Sequence, residues 1–190
     1  GFNPSYMTHG LVDDGQRLVE SAADEVLALA ENMTAFALGP GLGRSAGITD
    51  FVARLYREIT QPMVVDADAL FALAARKELL TQAAGPRILT PHPGEFARLT
   101  GGKPGNDDAS RTLAAGELAS ASGGPKTIVV LKGHHTVITD GQRYALNQTG
   151  NPGLATGGTG DVLTGVITAL LCQGLTPFDA ARLGVHVHGL

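Results

Sequence analysis

The sequence predicts an α/β protein: a mostly parallel central sheet with helices on both faces. Three observations carry that expectation. Short apolar runs alternate with helix-length amphipathic segments along the chain. Each of the first four runs ends in Gly, Pro, acidic or basic residues, the punctuation of strand-to-helix turns. Apolar residues make up 43% of the 190 and charged ones 17%, enough for a sizeable core.

Taken in order, GFNPSYMTHGL reads as an extended lead-in, and residues 13–32 as an amphipathic helix with Leu18, Ala22, Val26 and Leu29 on one face. TAFALGPGLG is a short buried strand run into a tight loop. Residues 45–59 form a second helix, carrying Ile48, Phe51, Val52, Leu55 and Ile59. Met63–Val65 is the next strand, followed by acidic residues and the helix Ala67–Ala75. Arg87–Leu89 is a third strand that leads into a turn with two prolines. Residues 107–122 make a helix capped by Asp107 or Asp108. TIVVLKG is a fourth strand, and HTVITD pairs with RYALN in a hairpin around Asp140-Gly141. A glycine loop then opens an apolar helix through Cys172, and a last helix starts at Pro177 behind a Thr176 cap.

The bulk numbers exclude several functions. A formal charge of −4 with no Lys/Arg run argues against a nucleic-acid surface. No apolar stretch is long and clean enough to span a bilayer, and no signal peptide is visible. The single cysteine, Cys172, excludes an internal disulfide, suits a reducing cytoplasm and is expected as a small buried residue on its helix. No internal repeat or linker divides the chain, so residues 1–190 read as one domain. The chain starts without Met and stops at HVHGL inside a helical pattern, so it is expected to be a fragment.

The stretch NPGLATGGTGDVLTGVITALLC, residues 151–172, concentrates the chemistry. Gly157, Gly158 and Gly160 let a ligand approach the backbone, and the following helix aims free N–H groups and its positive dipole end at an oxyanion. Asp161, in the first helical turn, is placed to act as a general base on a hydroxyl beside a phosphoryl donor. It equally suits a dipole-favoured helix cap, and spacing alone leaves both readings open. The other motifs follow strands, where α/β sheets bind ligands. GPGLG (39–43) is either a plain turn or a ligand-lining loop. Asp66 and Asp68 either sit near magnesium or divide into a helix cap and a solvated acid. In TPHPGE (90–95), His92 and Glu95 lie three apart, and alone they read as a turn residue and a first-turn helix acid. In LKGHHT (131–136), Lys132 offers a point charge for phosphate, while His134 and His135 lack the further ligands zinc requires. His186 and His188 read as helix-face residues.

GTGD opening an apolar helix late in an α/β chain resembles the ribokinase-like superfamily, and NPGLATGGTGDVLTG with TPHPGE and VLKGHHT resembles the nucleotide-dependent NAD(P)H-hydrate dehydratases. The superfamily's kinases carry Asn where this chain has His92, which favours the dehydratase branch. The resemblance implies a three-layer α/β/α sandwich without its N-terminal part. It implies that ADP or ATP, with Mg2+, phosphorylates the hydroxyl of hydrated NADH or NADPH, and that loss of phosphate restores the reduced nicotinamide. Asp161 would be the base, with Gly41, Gly43 and His92 on the substrate. Lys132, Gly133, His134, His135 and Thr136, with Gly157, Gly158, Thr159 and Gly160, would hold the nucleotide. Glu95 would order metal-bound water. Relatives imply a homo-oligomer, often a tetramer, and a link to a hydrate epimerase. A small-molecule kinase acting on a sugar, vitamin precursor or thiazole alcohol is the alternative.

Overall fold

The computed structural model describes residues 7–190, so the first six residues of the lead-in lie outside it. Six strands lie side by side in the order in which they occur. They are β1 (Phe36–Leu38), β2 (Met63–Val65), β3 (Arg87–Leu89), β4 (Thr127–Leu131), β5 (Val137–Thr139) and β6 (Tyr144–Leu146). β1 to β4 run parallel, with Phe36 opposite Met63, Met63 opposite Arg87 and Arg87 opposite Thr127. β5 and β6 turn back as an antiparallel hairpin on β4.

The helices are α1 (Ala22–Ala30), α2 (Ala46–Glu58), α3 (Ala67–Ala75), α4 (Pro93–Thr100), α5 (Asp108–Ala121), α6 (Thr159–Cys172) and α7 (Pro177–His188). Parallel strands laid down in one direction by crossovers of constant hand leave their connecting helices on one face. Val65, Leu89, Val129 and Val137 accordingly share an apolar cluster with Phe51 of α2, Leu73 of α3, Phe96 of α4 and Leu118 of α5. The alternate strand residues Val64, Ile88, Ile128, Val130 and Ile138 point the other way. They pack against Leu163, Ile167 and Leu171 of α6 and Phe178 and Val185 of α7. The result is three layers, α/β/α.

Three expectations change. The helix expected over 13–32 is confined to α1, because residues 13–17 spend their polar groups on turns instead. Asp13 accepts from the Gly15 N–H, Asp14 accepts from Gln16 and Arg17, and Gly15 sits at φ +90. The two-proline turn after β3 is itself a helix start, with Pro93 in the first turn of α4. Cys172 is exposed rather than buried. The buried stripe of α6 runs Leu163, Ile167, Leu171, and the next residue is turned about 100° away from it.

Candidate active site at the carboxyl ends of the parallel strands

The parallel strands deliver their C-terminal residues to one edge of the sheet. Asp66 follows β2 and occupies the N-cap position of α3, yet its side chain caps nothing. Its carboxylate, in a residue 1% exposed, lies 2.8 Å from Lys132 Nζ and accepts a hydrogen bond from Thr164 Oγ1 at 3.0 Å. A buried carboxylate persists only when paired, and here a cation and a hydroxyl pair it. Asp68 is not solvated either. It accepts from the Gly43 N–H and from Arg44 Nε, both at 2.9 Å, and so ties the loop after β1 to α3. Gly41 and Gly43 in that loop both adopt positive φ, at +74 and +76.

After β3, His92 and Glu95 form a reciprocal cap on α4. His92 Nδ1 accepts from the N–H groups of Gly94 and Glu95, while Glu95 Oε2 accepts from the His92 N–H at 2.8 Å. In the neutral ring this leaves the proton on Nε2, on an exposed side chain. The same Glu95 Oε2 stands 3.9 Å from Lys132 Nζ. Lys132, which follows β4, is anchored by its own N–H to Pro91 O. Lys132 therefore stands between two carboxylates, one buried and one partly so.

α6 brings the glycine loop to this cluster. Gly158 is its N-cap, at φ +89 with no side-chain cap, and Thr159 Oγ1 donates back to Leu154 O and Thr156 O. Gly160 passes directly over the ion pair: a Cβ built on it would lie 3.3 Å from Lys132 Nζ and 3.5 Å from Asp66 Oδ2. Asp161 comes next in the first turn, exposed and without a hydrogen-bond or ion-pair partner among the described residues.

The loop after β4 is held from behind. Arg111 of α5 donates to the carbonyls of Leu131, Lys132, His134 and His135, and burial pulls its guanidinium below its ordinary pKa against the opposing pull of Asp108. His135 Nδ1 lies 2.8 Å from Asp108 Oδ2, and the His134 ring stacks on that of His135. Thr136 Oγ1 closes the turn onto Gly133 O. His186 is exposed on α7, and its carbonyl accepts from Thr149 Oγ1. A groove of about 630 Å3 between α7 and the β5–β6 hairpin, lined by Ile138, Leu146, Asn147, Leu183 and His186 among others, includes none of the strand-end residues just described.

The structure thus brings Lys132, Glu95, His92 and Gly160 together, with Asp161 on the adjoining turn. It adds Thr164 and Arg111, which the sequence analysis did not single out, and gives Asp66 the partners Lys132 and Thr164 instead of a helix-capping bond. No local pattern announces their contacts, which join residues 20 to 98 positions apart.

The sequence model of the NAD(P)H-hydrate dehydratases matches residues 3–190. The chain belongs to that family. Among the family's proteins, it is 45% identical over 174 residues to the bifunctional NAD(P)H-hydrate repair enzyme of Moorella thermoacetica, a match covering 90% of this chain and 32% of that protein. It is 39% identical to the ADP-dependent (S)-NAD(P)H-hydrate dehydratase of Neisseria meningitidis, over 100% of this chain and 64% of that one. The ADP/ATP-dependent NAD(P)H-hydrate dehydratase of Bacillus subtilis, co-crystallised with ATP and Mg2+, superposes with a TM-score of 0.68 at 39% identity, covering 82% of this chain and 55% of that one. The chain therefore spans about a third of the bifunctional relative and less than two thirds of the shorter dehydratase. The three-layer arrangement is the ribokinase-like fold. Among the described residues, no helix is long and apolar enough to cross a membrane.

Proposed function

We propose that this chain is the catalytic unit of an ADP- or ATP-dependent NAD(P)H-hydrate dehydratase, and that its chemistry occurs at the first turn of α6. The observation that carries the reading is the placement of Asp161. It is an unpartnered, exposed carboxylate on the turn whose neighbour Gly160 lies against the Lys132–Asp66 pair. Family membership supports NAD(P)H hydrate as the substrate.

In this reading the ring hydroxyl of the hydrated nicotinamide gives its proton to Asp161 as its oxygen bonds to the terminal phosphorus of ADP or ATP. The bond from that phosphorus to the departing AMP or ADP breaks. The N–H groups of Gly157, Gly158, Thr159 and Gly160, at an uncapped helix start, carry the charge that builds on the transferring group. The ring C–O bond of the new phosphoester then breaks, its electron pair leaving with inorganic phosphate, while the adjacent ring carbon gives a proton to water and its C–H pair becomes the restored double bond. Lys132 to Thr136 line the nucleotide side. Gly41, Gly43 and the Nε2–H of His92 line the substrate side.

Magnesium fits the residues present. Among the described residues no group of three or more His, Cys, Asp or Glu side chains is gathered to cage a metal. The donor on hand, Glu95, suits an ion that keeps most of its water and rests on phosphates. When bound, magnesium neutralises phosphate charge. The same reading places the chain in the cytoplasm, in a homo-oligomer, beside an NAD(P)H-hydrate epimerase.

Product analysis tests the proposal. Hydrate, ADP and magnesium should yield AMP, inorganic phosphate and reduced nicotinamide in equal amounts. A stable phosphoester accumulating without reduced nicotinamide would replace the proposal with a small-molecule kinase.

A further inference from the structure

We propose that Arg111 builds the phosphate seat of the 132–136 loop from behind, acting as a positioning residue that never touches the nucleotide. The proposal rests on the reading that this loop holds the phosphates. Arg111 is 7% exposed and has no carboxylate within salt-bridge distance among the described residues. Its two terminal nitrogens instead donate to four backbone carbonyls, those of Leu131, Lys132, His134 and His135. The loop is in effect wound around a buried cation.

Winding carbonyls inward has a consequence for the other half of each peptide. A peptide's N–H points opposite to its C=O, so carbonyls gathered on Arg111 turn the succeeding N–H groups away from it. The succeeding N–H groups are those of Lys132, Gly133, His135 and Thr136; the first donates to Pro91 O, and among the described residues the other three donate no hydrogen bond within the protein. His135 adopts φ +51 directly after a residue with negative φ. Alternation of this kind makes successive N–H groups converge into an anion-binding concavity. Gly133 completes the arrangement: at φ +145, a Cβ built on it would stand 2.9 Å from Arg111 Nη2, so the loop closes on the guanidinium only through a bare backbone. The Arg111 guanidinium behind the seat, with no carboxylate in direct contact among the described residues, adds attraction for phosphate. Lysine cannot replace this arrangement, because one ammonium has three donors and no planar fork to span four acceptors.

The test measures phosphate-dependent affinity. ADP is titrated calorimetrically into the parent, Arg111→Lys and Arg111→Met, with adenosine as the phosphate-free control and thermal melting as the check on folding. ADP affinity should fall at least tenfold in Arg111→Met and by a smaller factor in Arg111→Lys, while adenosine affinity stays within twofold. ADP affinity within twofold of the parent in folded Arg111→Met would overturn the proposal, and so would equal losses for ADP and adenosine. If Arg111→Met does not fold, hydrogen exchange on the unaltered protein decides. Added pyrophosphate should slow exchange at the amides of Gly133, His135 and Thr136, and unchanged exchange there would overturn the seat. These measurements involve no turnover, so a failed dehydratase assay and a failed phosphate seat are separate results.

Discussion

Replacing Asp66 by asparagine removes the charge that Lys132 needs and keeps the shape. Removing one partner of a buried ion pair costs about 3–5 kcal/mol, because the other charge is left uncompensated. Three features of this site lower the figure. Asparagine keeps an acceptor for the Thr164 hydroxyl, the Lys132 side chain is 20% exposed, and Glu95 Oε2 stands 3.9 Å away as a second partner. We therefore expect a loss of about 2–3 kcal/mol, the low end of that range further reduced by solvent. For a chain of this length, about 2–4 °C per kcal/mol turns this into a fall of about 4–12 °C in melting temperature. Urea unfolding of the parent, Asp66→Asn, Lys132→Met and the double variant closes the cycle. A coupling of about 1–3 kcal/mol between the two positions is expected. A melting temperature within about 1 °C of the parent, or additive single effects, would refute the claim that this pair ties β2, β4 and α6 together.

The remaining predictions concern the same edge of the sheet and the hairpin beside it. Asp161→Asn should cut turnover by about 10²- to 10⁴-fold, the usual worth of a positioned base, and leave ADP affinity within a few fold; undiminished turnover would remove Asp161 from the mechanism. Gly160→Ala pushes a methyl to 3.3 Å from Lys132 Nζ, the movable end of a long side chain. The protein should therefore fold but bind ADP more weakly, and unchanged ADP binding would detach Lys132 from the nucleotide. At Asp140 burial raises the carboxyl pKa, but N–H bonds from Arg143 and Gln142 and the Arg143 guanidinium outweigh it, so the group titrates below its ordinary value. A depressed folded value gives stability that is present above the unfolded value of about 3.9 and is lost as pH falls through the folded one. The gap between the urea midpoints of parent and Asp140→Asn should thus be full at pH 7 and shrink as pH falls below about 3.9, and a gap that stays constant on acidification would contradict this assignment.

What the sequence makes legible is local. The strand Met63–Val65 and the helix Ala67–Ala75 have the bounds their patterns indicate, because an unbroken apolar run and a helical period compete with nothing nearby. Asp107 and Thr176 cap α5 and α7 as their positions suggest, each through a bond to an N–H three residues on. The helix expected over 13–32 fails where turn chemistry at Asp13, Asp14 and Gly15 outweighs an apolar stripe. Cys172 fails because a stripe repeating every four residues drifts around the helix, leaving its last neighbour outside. At the site, motif order places Lys132, His92 and Gly160 on one sheet edge, since strand ends are where α/β folds gather ligands. Their distances could not be read. The Asp66–Lys132 contact spans 66 positions and the Asp66–Thr164 contact 98, so each exists only once the sheet and α6 have packed.

The most direct test of the central claim is the reduced-nicotinamide absorbance of NADH-hydrate mixed with the purified protein, magnesium, and ADP or ATP. The account predicts a rise that requires the nucleotide and disappears in Asp161→Asn. No rise with folded protein that binds ADP, or a rise that survives in Asp161→Asn, would contradict it.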